Sequence, residues 1–389
     1  MKDVALPDSL QLPDDTPGSM TSSEATDAAP EPKRRLQSLD ALRGLDMLCI
    51  VGLDSLARIL AQTFPEQASL QTFSEQFGHK AWEGFALYDL VFPLFVFIAG
   101  VSMAFSLLKK SGEPGAWWKT LLHLYKRAIV LILLGCLVNG ALSWNPENMR
   151  FASVLGLIGI SCAVSGTIIL LVRKTAAVAA TALLILGGIA YLQFNFGDFT
   201  PEGSINAIID RSWLPGILHG GGYDPEGLLC IVSAIALALL GYTTGAALKY
   251  KECTPLMRFG FIFLCGAALL SISLVTAEYY PIIKRIWTST FVLAAGGIGM
   301  LLLALFYLVI DVWNLRAWSF PLKVIGMNAL FAYILTSLID FGTLNERIFS
   351  GCAELLEPDY APLFFAASYI ILLWLLLFGM YRQRIFVKA

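Results

Sequence analysis

Runs of about twenty apolar residues recur along this chain, and that recurrence limits its fold more than any other feature. A segment of that length covers a hydrocarbon core, whereas shorter apolar runs serve soluble interiors. Ten such segments are predicted, at about 41–61, 85–107, 122–142, 152–172, 175–194, 227–248, 257–276, 289–310, 323–341 and 363–381. Only 14% of the 389 residues are charged and 57% are hydrophobic, whereas a soluble domain carries about a quarter charged residues. The expectation is an all-α polytopic transmembrane helical bundle. No strand pattern, P-loop, G-x-G-x-x-G or G-x-S-x-G elbow is present, so ATPase, dinucleotide oxidoreductase and serine hydrolase readings lose support. The formal net charge is −2, and no basic stripe with interleaved aromatics points to nucleic acid.

Residues 1–35 are polar, rich in Pro, Ser, Asp and Thr, and lack an apolar core segment. They read as a disordered cytoplasmic tail, with residues 36–389 as the transmembrane domain. Charge position then orients the bundle. Lys33-Arg34-Arg35 precedes the first span, and with that side cytoplasmic most of the remaining Lys and Arg residues fall on it too. The far side receives Lys80, Arg150, Arg211, Lys284, Arg285 and Arg347. Ten spans with both termini cytoplasmic follow, and the long connections 62–84 and 195–226 become candidates for a binding surface on the far side.

The polar residues within this apolar frame are the candidates for chemistry. Asp40, Arg43, Asp46, Asp54 and Arg58 share an arc of roughly 120° on the first span, so they face the bundle interior. Two readings stand: an ion-pair network at helical spacing, or the lining of a path across the membrane. Histidine is scarce, with only His79, His123 and His219. The topology separates His123 from the others, so a three-histidine metal cluster cannot form. His79 lies between Phe77 and Trp82 and just before the intramembrane Asp89, which makes it the leading general-base candidate, with His219 beside it on the same side. Five of the seven cysteines lie within apolar runs without a C-x-x-C pair and read as small buried hydrophobes.

Several stretches resemble a known family. They are Ser38-Leu39-Asp40-Ala41-Leu42-Arg43-Gly44, His79-x-x-Trp82-x-Gly84, and Asp89-Leu90-Val91-Phe92-Pro93 continuing to Ser102. Further along come Tyr223-Asp224-Pro225-Glu226-Gly227, Trp287-Thr288-Ser289 and Gly326-Met327-Asn328. Together, from about residue 36 onward, they resemble the heparan-α-glucosaminide N-acetyltransferase family and its bacterial relatives. The resemblance implies an integral protein of a bacterial inner membrane that moves an acetyl group from cytoplasmic acetyl-CoA to an amino sugar or glycan on the far side. In that family the residue matching His79 is the proposed catalytic group.

Further roles follow from that resemblance. His79 would act as general base or transient acetyl carrier, with Asp89 orienting it. Trp82, Asp224, Glu226 and Asn328 would contact substrate, and Arg43, Lys126 and Arg127 would hold the CoA phosphates. No metal is expected, membrane lipid is a partner, and a homodimer is left open. One departure stands out: the family's Val-Leu-Gln-Arg-Leu-Gly is Val154-Leu155-Gly156-Leu157-Ile158-Gly159 here, losing an amide and a cation. A transporter or flippase of a glycan or lipid-linked intermediate, or an inactive family member, are the alternatives.

Overall fold

A computed structural model of the chain describes residues 36–107, 116–141 and 149–387. The expected tail at 1–35 lies outside the described residues. From Leu36 the chain forms one unit. It is helical, and the β-structure among the described residues consists of two isolated bridges.

The first span is broken. α1 (Gln37–Leu48) passes through a widened turn at Cys49–Leu53 into α2 (Asp54–Thr63), and Gly52 leaves helical backbone angles there. The backbone N–H groups of Gln37 and Ser38 at the start of α1 are capped from afar by the Asp311 carboxylate, at 3.4 and 3.1 Å. A short α3 (Ala68–Glu75) follows, then α4 (Leu87–Leu107), α5 (Ala116–Val138), α6 (Val154–Val172) and α7 (Thr175–Asn195). After α8 (Ile205–Trp213) come α9 (Leu228–Leu248), α10 (Pro255–Thr276) and α11 (Ser289–Phe306), which runs on to Val312 through another widened turn. The chain closes with α12 (Phe320–Met327), α13 (Ala329–Leu338), α14 (Phe341–Ala353) and α15 (Ala361–Arg382).

Eight of these helices are long and apolar enough to cross a membrane, and the pair α12–α13, bent by 69°, makes a ninth. The charged pair α1–α2 stands where the sequence predicts the first of ten spans, but it is not among the helices long and apolar enough to cross. The ninth span was expected to be continuous but breaks at Asn328. There the side chain replaces helical continuity: Nδ2 donates to the Ile385 carbonyl and Oδ1 accepts from the Val387 N–H, each at 3.0 Å.

Burial sorts the long helices into two rings. α4, α6, α9 and α11 are between 61% and 72% buried and form the centre, while α5, α7, α10 and α15 are only 17–22% buried and present apolar faces outward. Small residues set the closest approaches. A Cβ on Gly100 would collide with the Ala238 carbonyl and one on Gly241 with the Phe97 carbonyl, so α4 and α9 touch backbone to backbone. Gly44 against Leu322 and Gly326 against Asp40 do the same for α1 and α12. The connections 64–86, 149–153, 196–227, 277–288 and 339–360 gather at one end, and it is there that the polar chemistry collects.

Candidate functional site

Two long-range backbone pairings assemble the site. The Gly84 N–H donates to the Ile282 carbonyl at 2.9 Å, and Glu83 bridges Ile283. Gly84 can do so because its φ of 111° lies where glycine carries no strain. This lays loop 78–86 along loop 281–288 and brings Lys284 to the first turn of α4. There the His79 Nδ1 lies 2.9 Å from Asp89 Oδ1, and Lys284 Nζ lies 3.2 Å from the same oxygen and 2.9 Å from Nδ1. The second Asp89 oxygen accepts from the Ala86 and Lys80 N–H groups at 3.1 and 3.4 Å.

The carboxylate is only 1% exposed but fully partnered, while the imidazole is 41% exposed. An ionised carboxylate only accepts and an ammonium only donates, so Nδ1 carries a proton toward Asp89 only when Lys284 directs its N–H groups to the Asp89 oxygen; in that arrangement the lone pair is on Nε2. Burial, opposed by Asp89 and reinforced by Arg285, holds the Lys284 ammonium below the usual lysine range. The Tyr88 ring packs 4.8 Å from the imidazole.

The second pairing runs between Arg150 and Gly216, with the Ile217 N–H donating to the Met149 carbonyl at 3.2 Å. It sets the Arg150 guanidinium over the turn that enters α9. Its Nε donates to Asp224 Oδ2 at 2.8 Å and its Nη2 to Asp224 Oδ1 at 2.5 Å, and Nη2 also pairs with Glu226. Asp224 further accepts from the His219 and Glu226 N–H groups. Burial opposes ionisation of Asp224, but Arg150 and those N–H groups outweigh it and hold the carboxyl below the usual range. Glu226 goes the other way: burial, with the Asp224 charge adding to it, raises it against the pull of Arg150.

Beneath them Asp210 accepts from the Leu228 N–H at 3.0 Å and the Asp224 N–H at 3.4 Å. Gly227 is needed here, since a Cβ would collide with the Asp210 carboxylate. Trp82 joins the two halves. Its indole donates to the Phe199 carbonyl at 2.6 Å and its ring meets Tyr223 edge-on at 5.1 Å. The Glu226 charge is felt at Lys284, and burial and the Arg150 charge depress the His219 imidazole.

A family model described as a domain of unknown function, DUF5009, matches residues 35–205, which include His79, Trp82, Asp89 and Arg150. The heparan-alpha-glucosaminide N-acetyltransferase of Homo sapiens is 25% identical over 368 residues, covering 77% of this chain and 52% of its own length. The protein of the same name from Mus musculus is 26% identical over 384 residues, covering 82% and 56%. The chain is similar to these two acetyltransferases along most of its own length. It spans about half the length of the curated relatives it matches.

Against that relationship, the other expected residues can be placed. His79, Asp89, Trp82, Asp224 and Glu226 come together at the loop-rich end; Asn328 does not, its amide being committed to the C-terminal segment. Arg43 sits on α1, donating to Asp40 at 3.3 Å and to Ser102 at 2.9 Å. Thirteen residues of α4 separate Ser102 from Asp89, roughly 20 Å of helix, so Arg43 lies toward the opposite end. Lys126 and Arg127 are exposed on α5, which starts six residues before the expected 122, so they lie within the helix and not at its end. At the departure in α6, Gly156 takes the Ser153 cap and Leu157 is buried in the apolar core. Arg150, seven residues upstream, supplies the cation at the carboxylate pair. Arg150, Lys284 and Asp210 were missed as site residues; the first two figured only as charges on the far side. The one available signal was that Lys284 lies three residues before the Trp287-Thr288-Ser289 motif.

Proposed function

We propose that this protein is a membrane-embedded acyltransferase that moves an acetyl group from acetyl-CoA to the amine of an amino sugar or glycan at the end holding His79. The observation that carries the reading is the His79–Asp89 pair: a buried, fully partnered carboxylate 2.9 Å from the Nδ1 of a solvent-accessible imidazole. An amine attacks a thioester only when it is neutral. Nε2 takes the amine proton as the nitrogen bonds to the acetyl carbon; the C–S bond then breaks, and the thiolate leaves with the proton that the imidazole returns. A transient acetyl-imidazole would divide the same exchange into two steps. Asp89 stabilises the imidazolium in either route, and Glu226 and Trp82 border the space an acceptor sugar would enter. The names of the relatives support the same chemistry.

His79→Ala should lower acetyl transfer from acetyl-CoA to glucosamine by about 10²- to 10⁴-fold. Undiminished turnover in the purified variant would overturn the assignment.

A transporter reading is favoured by one feature: two discontinuous helices, at Cys49–Leu53 and at Asn328, of the kind transporters use at their substrate sites. Coenzyme A separates the two readings. An enzyme that binds it should gain about 2.7 kcal/mol of stability at a hundredfold excess over Kd, seen as a rise in melting temperature, and a glycan transporter should not.

A further inference from the structure

His79 Nδ1 has two neighbours at hydrogen-bond distance, and no single imidazole tautomer serves both while Lys284 is charged. Asp89 Oδ1 lies 2.9 Å away and only accepts, so it calls for a proton on Nδ1. Lys284 Nζ also lies 2.9 Å away, and as an ammonium it only donates, so it calls for a lone pair there. Lys284 and Asp89 are themselves 3.2 Å apart, which closes a triangle. With Nζ charged, one side of that triangle sets donor against donor or acceptor against acceptor. The tautomer then yields to the ammonium, because Asp89 keeps Lys284 and the Ala86 and Lys80 N–H groups as donors without His79. Removing one proton from Nζ resolves the conflict: Nδ1–H meets both the Asp89 oxygen and the amine lone pair, and an Nζ–H still donates to Asp89.

The surroundings favour that loss. The Lys284 side chain is 15% exposed. Burial, with Arg285 adding to it, outweighs the attraction of Asp89 and Glu226 and holds the ammonium below the usual lysine range. Lys80 and Glu83, on the loop alongside, are exposed and their charges are screened by solvent. Tyr88 meets the imidazole through its ring, and His219 is a second ionisable ring that feels the His79 charge. Catalysis sharpens the need, since an imidazolium at His79 would stand 2.9 Å from an ammonium with both cations sharing the one Asp89 carboxylate.

We propose that Lys284 is a positioning residue that exchanges a proton with His79 Nδ1 and so alternates Nε2 between base and donor. In the resting arrangement Nζ is a neutral amine, Nδ1 holds its proton and Nε2 carries the lone pair. As the acceptor nitrogen bonds to the acetyl carbon, Nε2 takes the amine proton and Nδ1 passes its own to Nζ. A neutral imidazole protonated on Nε2 then lies beside an ammonium. When the C–S bond breaks, the Nε2 proton goes to the thiolate and Nζ returns its proton to Nδ1, so the pair neither gains nor loses a proton over the cycle. These steps rest on the acetyl transfer proposed above; the coupling of Lys284 to the tautomer of His79 does not.

Nitrogen-15 spectra of the purified full chain, labelled in its three histidines, read the tautomer directly, with the His79 signals assigned by their loss in His79→Gln. As pH rises through the titration of Lys284, the neutral imidazole should pass from Nε2–H to Nδ1–H. Lys284→Met has no proton to exchange and should hold Nδ1–H toward Asp89 throughout. One unchanging tautomer in the wild type, or the same passage in Lys284→Met, would overturn the proposal. Activity separates the exchange from a merely structural cation. Arginine keeps the charge beside Asp89 and does not deprotonate, so Lys284→Arg should lower acetyl transfer from acetyl-CoA to glucosamine by about tenfold or more at every pH. Lys284→Met should retain more transfer than that, with a changed pH profile. Transfer kept by Lys284→Arg and abolished in Lys284→Met would make Lys284 a structural cation and overturn the exchange. A tautomer passage in a wild type that transfers no acetyl group would remove the acyltransferase reading and leave the coupling standing.

Discussion

Asp210 shows how much of the site depends on a carboxyl that never meets substrate. It is fully buried under the Asp224 turn, and burial, opposed by two backbone N–H donors and reinforced by the Asp224 charge, raises it to about 6. A carboxyl raised on folding binds its proton more tightly in the native state. Its contribution is therefore complete below the unfolded value near 3.8 and is lost as pH rises through about 6. The loss amounts to at most about 3 kcal/mol. The melting temperature of the wild type should accordingly fall between pH 4 and pH 7, and Asp210→Asn should flatten that dependence; an unchanged slope in thermal melts would refute it. The His79–Asp89 pair was legible in the sequence because a carboxylate within an apolar run demands a partner, and the nearest imidazole lies ten residues away. Lys284 was not legible. Its partner is 195 residues distant, and only the Gly84–Ile282 pairing, a matter of backbone hydrogen bonds, brings the two together.

Helices were read from apolar length, and the long ones emerge where length predicts them because a membrane-crossing segment has no cheaper way to satisfy its backbone. The breaks at Cys49–Leu53 and Asn328 were hidden for a physical reason. Gly52 and Asn328 are ordinary residues in a membrane helix, and what interrupts each helix is a tertiary contact: the Asn328 amide exchanges helical continuity for the C-terminal backbone, and a Cβ on Gly52 would press on Ile370. Short helices such as α8 and α14 escaped because they lie within connections, where no apolar run announces them. The packing of α1 on α12 gives the sharpest test at this scale. Gly44→Ala and Gly326→Ala each drive a methyl into a backbone carbonyl, which cannot rotate away, and should destabilise by about 1–3 kcal/mol. Gly379→Ala on α15, where a Cβ meets nothing within 4 Å, should be neutral or slightly stabilising through helix propensity. Denaturation of the three variants in detergent would refute the contrast if all shifted alike.

Transfer from a cytoplasmic donor to an acceptor on the far side requires one orientation of the whole bundle, and charge placement argues for it more strongly than residue counts suggest. Two cations at the loop-rich end, Arg150 and Lys284, are held in ion pairs with Asp224, Glu226 and Asp89, and a third, Arg211, donates to the Gly222 and Glu202 carbonyls. By contrast, Arg173, Lys251 and Arg382 are exposed near the opposite helix ends. Lys80 and Arg347 stay exposed at the loop-rich end, but Arg173, Lys174, Lys251, Arg382 and Arg384 outnumber them at the other, which favours that other end as cytoplasmic. The chain carries its own reporters of this arrangement. Cys352 is exposed on α14 at the loop-rich end, and Cys253 follows α9 at the other. With all other cysteines replaced, a membrane-impermeant maleimide applied to spheroplasts of an expressing bacterium should label Cys352 at once and Cys253 only after permeabilisation. The opposite pattern would place His79 in the cytoplasm, on the same side as acetyl-CoA, and the reaction would then need no passage of the acetyl group across the bilayer.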